Sequence, residues 1–260
     1  MSRKTFFLSA IALYAILTVC CSGMSISVDS DPDDNTPPGG NDTPDEEIVI
    51  DFQPKTFTNG STTVAYRRAE IGLKEEVNPV IILYLHGGSS KGNDNEKHMG
   101  EPGIMSIAEY LKEQHISSIF LVPQCPKETK GWPLIAKTLV SLIGQDRTAD
   151  NKVYIFGGSM GGTGTWYMLS THPELFTAAM PVAGNPTSYD AAVIAKTPFY
   201  AVQGSADAIM GPKKVDMQGY LEKVDAANGK YKFDTVEGWD HETVCKQSYV
   251  KDRLEWVFSF

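Results

Sequence analysis

The chain of 260 residues has no predominantly apolar stretch long enough to cross a bilayer. Its longest such run, residues 6–19, has 14 residues, whereas a spanning helix takes about 20. Cysteine is scarce: Cys20 and Cys21 are adjacent, so Cys125 and Cys245 are the only pair left in the remainder of the chain. Positive charge is in deficit, with 23 Lys and Arg against 32 Asp and Glu. No His, Cys and Asp residues fall at metal-ligand spacing, so no metal site and no cofactor are expected. No repeat occurs at solenoid periods.

The acidity is local. Residues 22–54 hold nine acidic residues and no Lys or Arg, among Pro, Gly, Ser, Thr and Asn. Low hydrophobicity with high net charge predicts a disordered tether. With Arg3 and Lys4 also set aside, residues 55–260 carry a net charge of −2 out of −9 for the whole chain. A nearly neutral folded part excludes nucleic acid as an expected partner. Arg3, Lys4 and the run 6–19 read as a signal peptide over residues 1–21. Its end, Leu17-Thr18-Val19-Cys20-Cys21-Ser22, resembles a bacterial lipoprotein signal, with Cys20 or Cys21 as the lipidated residue. An ordinary secretory signal is the alternative. Either reading places the chain outside the reducing cytosol, as a lipoprotein of the bacterial outer membrane or periplasm, held by a lipid anchor, or as a secreted protein.

Residues 55–260 are enough for one layered core. Strand patterns fall at 62–70, 80–85, 116–122, 152–156, 178–182, 199–202 and 232–236, and helical patterns at 103–114, 133–143, 162–171, 210–227 and 243–258. Their alternation predicts an α/β fold, a mostly parallel sheet with helices on both faces. No insertion is long enough for a large lid.

The most informative run is Tyr154-Ile155-Phe156-Gly157-Gly158-Ser159-Met160-Gly161-Gly162. It is a strand, a glycine-flanked serine and a helix start, the G-x-S-x-G nucleophile elbow. Two partners follow in the order that pattern requires: Asp207 after the strand 199–202, and His241 after the strand 232–236. Upstream, the strand 80–85 runs into His86-Gly87-Gly88-Ser89, a loop suited to aim a backbone N–H at an oxyanion. All four lie past the C-terminal ends of strands, where open α/β sheets place their sites.

With Gly158-Ser159-Met160-Gly161-Gly162-Thr163-Gly164-Thr165-Trp166, His172-Pro173-Glu174-Leu175-Phe176, Ala179-Met180-Pro181-Val182-Ala183-Gly184, Val122-Pro123-Gln124-Cys125-Pro126 and Gly92-Asn93-Asp94-Asn95, the chain resembles the α/β-hydrolase esterases grouped with feruloyl esterases, acetylxylan esterases and polyhydroxybutyrate-depolymerase-like proteins. That group includes the branch labelled predicted peptidases. Two departures stand out: Ser89-Ser90-Lys91 where relatives tend to carry Gly-Glu-Arg, and Gln203 where histidine is common. The resemblance implies a Ser-His-Asp esterase acting on acetyl, feruloyl or similar short acyl esters, small or borne on plant polysaccharides.

The expected roles follow from residue type. Ser159 is the nucleophile, His241 its base, and Asp207 the acid that orients the imidazole, with the adjacent Asp240 as rival. Met160, Gly88 and Ser89 supply the oxyanion hole. Trp132 and Trp239 are candidate substrate walls or packing residues, Trp166 is core, His86 braces the oxyanion loop, His172 caps or follows a helix, and His98 and His115 are surface residues. Cys125 and Cys245 form either a disulfide or two free thiols. A serine peptidase of related fold and a non-catalytic carbohydrate-binding protein are the competing functions.

Overall fold

The structure, a computed structural model, describes residues 48–260. The expected signal segment, Cys20, Cys21 and most of the expected tether lie outside the described residues. Eight strands form one sheet: β1 (Gln53–Asn59), β2 (Thr62–Ile71), β3 (Val80–Leu85), β4 (Ser118–Pro123), β5 (Val153–Gly158), β6 (Ala178–Val182), β7 (Phe199–Gly204) and β8 (Tyr231–Val236). Their spatial order is β1-β2-β4-β3-β5-β6-β7-β8. The β1–β2 and β2–β4 pairs are antiparallel and the rest parallel.

The interior strands are buried end to end, as continuous Val/Ile/Leu/Phe runs require when both faces are covered. Alternation along β3 sends Ile81, Leu83 and Leu85 to one face and Ile82 and Tyr84 to the other. The first face is covered by α2 (Ala136–Ile143), α3 (Met160–Thr171) and α5 (Met217–Ala226). The second is covered by α1 (Pro102–Glu113), α6 (His241–Gln247) and α7 (Lys251–Phe258). A short α4 (Ala191–Ile194), capped by Asp190, lies between β6 and β7. This is the expected α/β architecture, and no large lid is present among the described residues.

Several boundaries need correction. The folded part begins before residue 55: Ile48, Ile50 and Phe52 pack on the second face, and β1 starts at Gln53. Polar composition and Pro54 disguised β1, an exposed edge strand with only one partner. The two-residue Gly60-Ser61 turn between Asn59 and Thr62, with Gly60 at φ +59, is the hairpin signal in the sequence. The expected helix 210–227 begins only at Met217, because the preceding residues wrap their backbone around Asp207. The expected helix 243–258 is split at Val250, whose extended backbone lets Tyr249 turn inward against Tyr84 and Phe156.

Behind the loop after β3 lies a buried polar brace. His86 is fully buried, its Nε2 accepting from Cys125 N–H at 2.8 Å and its Nδ1 donating to the Gly87 carbonyl at 2.7 Å. Trp132 packs edge-on to that ring and donates from Nε1 to the His86 carbonyl at 3.2 Å. His98, expected at the surface, is also fully buried and donates from Nε2 to the Val122 carbonyl at 3.1 Å. Its Nδ1 has no partner among the described residues. Burial lowers His86 from 6.5 to about 3 and His98 from 6.5 to about 4. A second proton would break the Cys125 bond at His86 and leave a buried N–H unpaired at His98.

Two outcomes follow for stability. The unfolded chain takes up protons at both histidines below pH 6.5 and the folded chain refuses them, so stability is greatest above that pH and falls as pH drops toward 4. Each histidine costs about 2 kcal/mol by pH 5. The Glu101 carboxyl, raised by burial, offsets part of this at the acid end. Denaturant unfolding should show lower stability at pH 5 than at pH 7.5, and His98→Gln should flatten the difference; equal stabilities in the parent protein would contradict the account. Separately, a Cβ at Gly161 would lie 1.7 Å from the Leu85 carbonyl oxygen. Gly161→Ala should therefore destabilise the fold by on the order of 3 kcal/mol or more, read as a lowered Tm.

Candidate active site

The elbow is a consequence of packing. β5 ends at Gly158 and α3 begins at Met160, leaving Ser159 alone to make the turn with φ +58 and ψ −117. That conformation is costly for a residue with a Cβ. It is held by the Ser159 N–H donating to the Val182 carbonyl at 3.0 Å and by the Ser159 carbonyl accepting from Thr163 N–H at 3.0 Å. The neighbouring glycines permit the close approach: a Cβ on Gly157 would meet the Gly161 carbonyl oxygen at 2.5 Å.

Ser159, His241 and Asp207 come together from three loops. The Ser159 hydroxyl lies 2.7 Å from His241 Nε2, and His241 Nδ1 lies 2.8 Å from Asp207 Oδ2. With Nδ1–H donating to the carboxylate, Nε2 is left to accept the serine proton. The Asp207 side chain is fully buried, and its other oxygen accepts from Ile209 N–H at 2.7 Å and Met210 N–H at 2.8 Å. Gln203 steadies this turn by donating to the Met210 carbonyl at 2.8 Å. Asp240 is otherwise employed: its carboxylate caps α6 by accepting from Thr243 N–H at 2.8 Å. The geometry thus sets Asp207, not Asp240, against His241.

Met160 opens α3, so its N–H has no partner within the helix. Gly88 opens a 3-10 turn, Gly88–Ser90, facing it. A Cβ on Gly88 would lie 3.9 Å from Met160 Cβ, so the two segments stand in contact beside Ser159. Gly88 and Ser89 are exposed and line a cavity of about 630 Å³ with Ser159, His241, Ile209 and Cys245. Such a volume suits a small ligand.

Other expected residues lie elsewhere. Trp132 is fully buried in the brace, and Trp239 packs on the core with the Arg253 guanidinium 5.8 Å from its ring centre; neither lines the cavity. Trp166 is core, edge-on to Phe199. His172 ends α3, and His115 is exposed. Cys125 and Cys245 are free thiols, the second of the two expected alternatives. They belong to opposite faces of the sheet, which keeps the layer of strands between them. Burial pushes the Cys245 thiol up to about 12, helped by Glu101 and Asp207. Cys245 in the cavity went unforeseen, although four residues after His241 on one helix predicts a shared face. Glu101 also lines the cavity; nothing in its local sequence marked it. Among the described residues no group of three or more His, Cys, Asp or Glu side chains could hold a metal ion.

Comparison with known proteins bears on the family and the fold. Residues 42–230 match the Esterase family, described as "Putative esterase"; His241 lies beyond that match. A thermostable esterase structure is 26% identical with a TM-score of 0.67, over 80% of this chain and 63% of that one. This chain thus spans less than two thirds of that relative. The feruloyl esterase module from Clostridium thermocellum, an S954A mutant complexed with sinapinate, is 16% identical with a TM-score of 0.62, over 80% of this chain and 88% of that one. The acylaminoacyl peptidase of Pyrococcus horikoshii is 12% identical with a TM-score of 0.58, over 81% of this chain and 41% of that one. These last two share the fold. No curated protein matched the sequence. The family match covers most of the chain, and the sheet and its neighbours agree with it: the protein is a member of this esterase family, with the α/β-hydrolase fold.

Proposed function

We propose that this protein is a serine carboxylic-ester hydrolase for short acyl esters, small or carried on a polysaccharide, working through an acyl-enzyme. The observation that carries the proposal is the relay of Ser159, His241 and Asp207, at 2.7 and 2.8 Å, opening onto one cavity. His241 Nε2 takes the hydroxyl proton as Ser159 Oγ attacks the ester carbonyl. Asp207 holds the ring in the required tautomer and stabilises the imidazolium. The oxyanion is received by N–H groups of Met160 and of Gly88 or Ser89, at the positive end of α3. His241 then gives its proton to the departing alkoxide. In the second half His241 activates a water, which releases the acid and regenerates Ser159.

Shape supports a short acyl group over a hydroxycinnamoyl one. Among the described residues no aromatic ring but that of His241 lines the cavity, and its apolar contacts include Ile209, Pro102 and Cys245. The N-terminal pattern supports export and a lipid anchor at Cys20 or Cys21, which fatty-acid labelling of Cys20→Ala and Cys21→Ala would test.

The decisive experiment is a panel of p-nitrophenyl acetate and butyrate, acetylated xylan, methyl ferulate and unactivated peptides. The short esters should give the highest kcat/KM; a peptide exceeding every ester would replace this reading with a peptidase, and tight binding of oligosaccharide without turnover would point to a binding protein. Ser159→Ala and His241→Ala should each lower kcat on the order of 10⁴-fold or more, and Asp207→Asn by about a thousandfold or more. Asp240→Asn should stay within about threefold, because Asn caps a helix as well as Asp. The reverse order of the two aspartates would reassign the acid.

A further inference from the structure

Two carboxyls that line the cavity, Glu101 and Glu242, take no part in the relay, and Glu242 pairs with Lys246 one helical turn on. Glu101, immediately before α1, reaches the loop that follows β3. Its Oε1 accepts from Gly87 N–H at 2.7 Å and from the Ser90 hydroxyl at 2.8 Å, and its Oε2 accepts from the Tyr84 hydroxyl at 3.2 Å. Gly87 and Ser90 are buried and flank the exposed Gly88 and Ser89. A single oxygen thus ties down both ends of the segment whose middle faces the serine.

The loop has little of its own to hold that shape. Its internal bonds are Ser90 N–H to the Gly87 carbonyl at 3.2 Å and Lys91 N–H to the Gly88 carbonyl at 3.5 Å, long contacts in a short 3-10 turn. Its position matters on a fine scale: a Cβ on Gly87 would lie 3.3 Å from Glu101 Oε1 and 3.6 Å from Ser159 Cβ. We propose that Glu101 is the positioning residue of the oxyanion loop, fixing Gly88 and Ser89 opposite Met160 by accepting from Gly87 and Ser90 together. The proposal rests on Ser159 being the nucleophile. By engaging the Gly87 N–H, Glu101 also leaves the N–H groups of Gly88 and Ser89 as this loop's donors to the oxyanion. Burial raises the carboxyl from its ordinary value, against the pull of its three donors.

The test compares Glu101→Ala, Glu101→Gln and Ser90→Ala with the parent protein on p-nitrophenyl acetate, beside inhibition by an alkylboronic acid, which mimics the tetrahedral anion on Ser159. Glu101→Ala should lower kcat by on the order of tenfold to a hundredfold, less than loss of an oxyanion donor itself, with KM within about threefold and an unchanged pH profile. Boronate affinity should fall by the same factor as kcat/KM. Glu101→Gln keeps an oxygen for both donors and an amide for Tyr84, and should recover most of the loss. Ser90→Ala, which removes one tie, should show a smaller loss of the same kind. Unchanged kcat in folded Glu101→Ala overturns the proposal, as does a Gln variant as impaired as Ala. If Glu101→Ala does not fold, Ser90→Ala decides: unchanged kcat and boronate affinity refute the tie. Absence of ester turnover in the parent protein, with no difference from Ser159→Ala, would instead refute the esterase reading on which the proposal stands.

Discussion

Everything at the site depends on one close approach, the first turn of α3 against the end of β3. The Gly161 backbone sits so near the Leu85 carbonyl that no side chain fits between them. That approach brings the start of α3 beside the loop carrying Gly88, and forces the chain leaving β5 to turn within a single residue. Ser159 absorbs the turn with a positive φ. Its strain is offset by the hydrogen bonds and packing around it, the usual condition for a strained functional residue.

A second tier of constraints lies under the loops. The C-terminal ends of β3, β5 and β7 provide a rigid rim, but the loops leaving them carry polar backbone that must be satisfied where water is absent. His86 does this for Cys125, Glu101 for Gly87, and Asp207 for Ile209 and Met210. Gln124 adds a further tie, its Oε1 accepting from Asn95 N–H at 2.7 Å and its Nε2 donating to Asp94 at 2.8 Å. The same side chains that fix the loops therefore fix the groups proposed to react. Their ordering is set within the fold, before substrate arrives, as electrostatic preorganisation requires.

The two departures from the family pattern fit this tier. Ser90 stands where relatives tend to carry an acid, and a carboxyl from Glu101 reaches its hydroxyl. Gln203 stands where histidine is common, and its amide donates to the turn that cradles Asp207. In each case a polar side chain is employed in holding a loop.

Much of the fold, and the delivery of Ser159, Asp207 and His241 to one place, was legible in the chain because the signals are local. Apolar runs mark buried strands, Gly157 and Gly161 mark an elbow, and the order Ser159, Asp207, His241 matches strand ends. The edge strand β1 leaves little mark in the sequence because a strand with one partner and a wet face needs little apolar character. For Trp132 and Trp239 the sequence left substrate contact and packing both open, because an aromatic near a loop carries no label for which way it points; the packing of neighbouring layers decides that. The same holds for Cys125 and Cys245, whose separation by the sheet depends on which face each loop descends. His98 and Glu101 acquired their burial, and with it their shifted proton affinity, from elements far away in sequence. Sequence alone determined which chemical groups exist and the order in which strands deliver them; only the tertiary structure decided which of them share a cavity, because desolvation and hydrogen-bond distance are properties of neighbours that chain spacing does not specify.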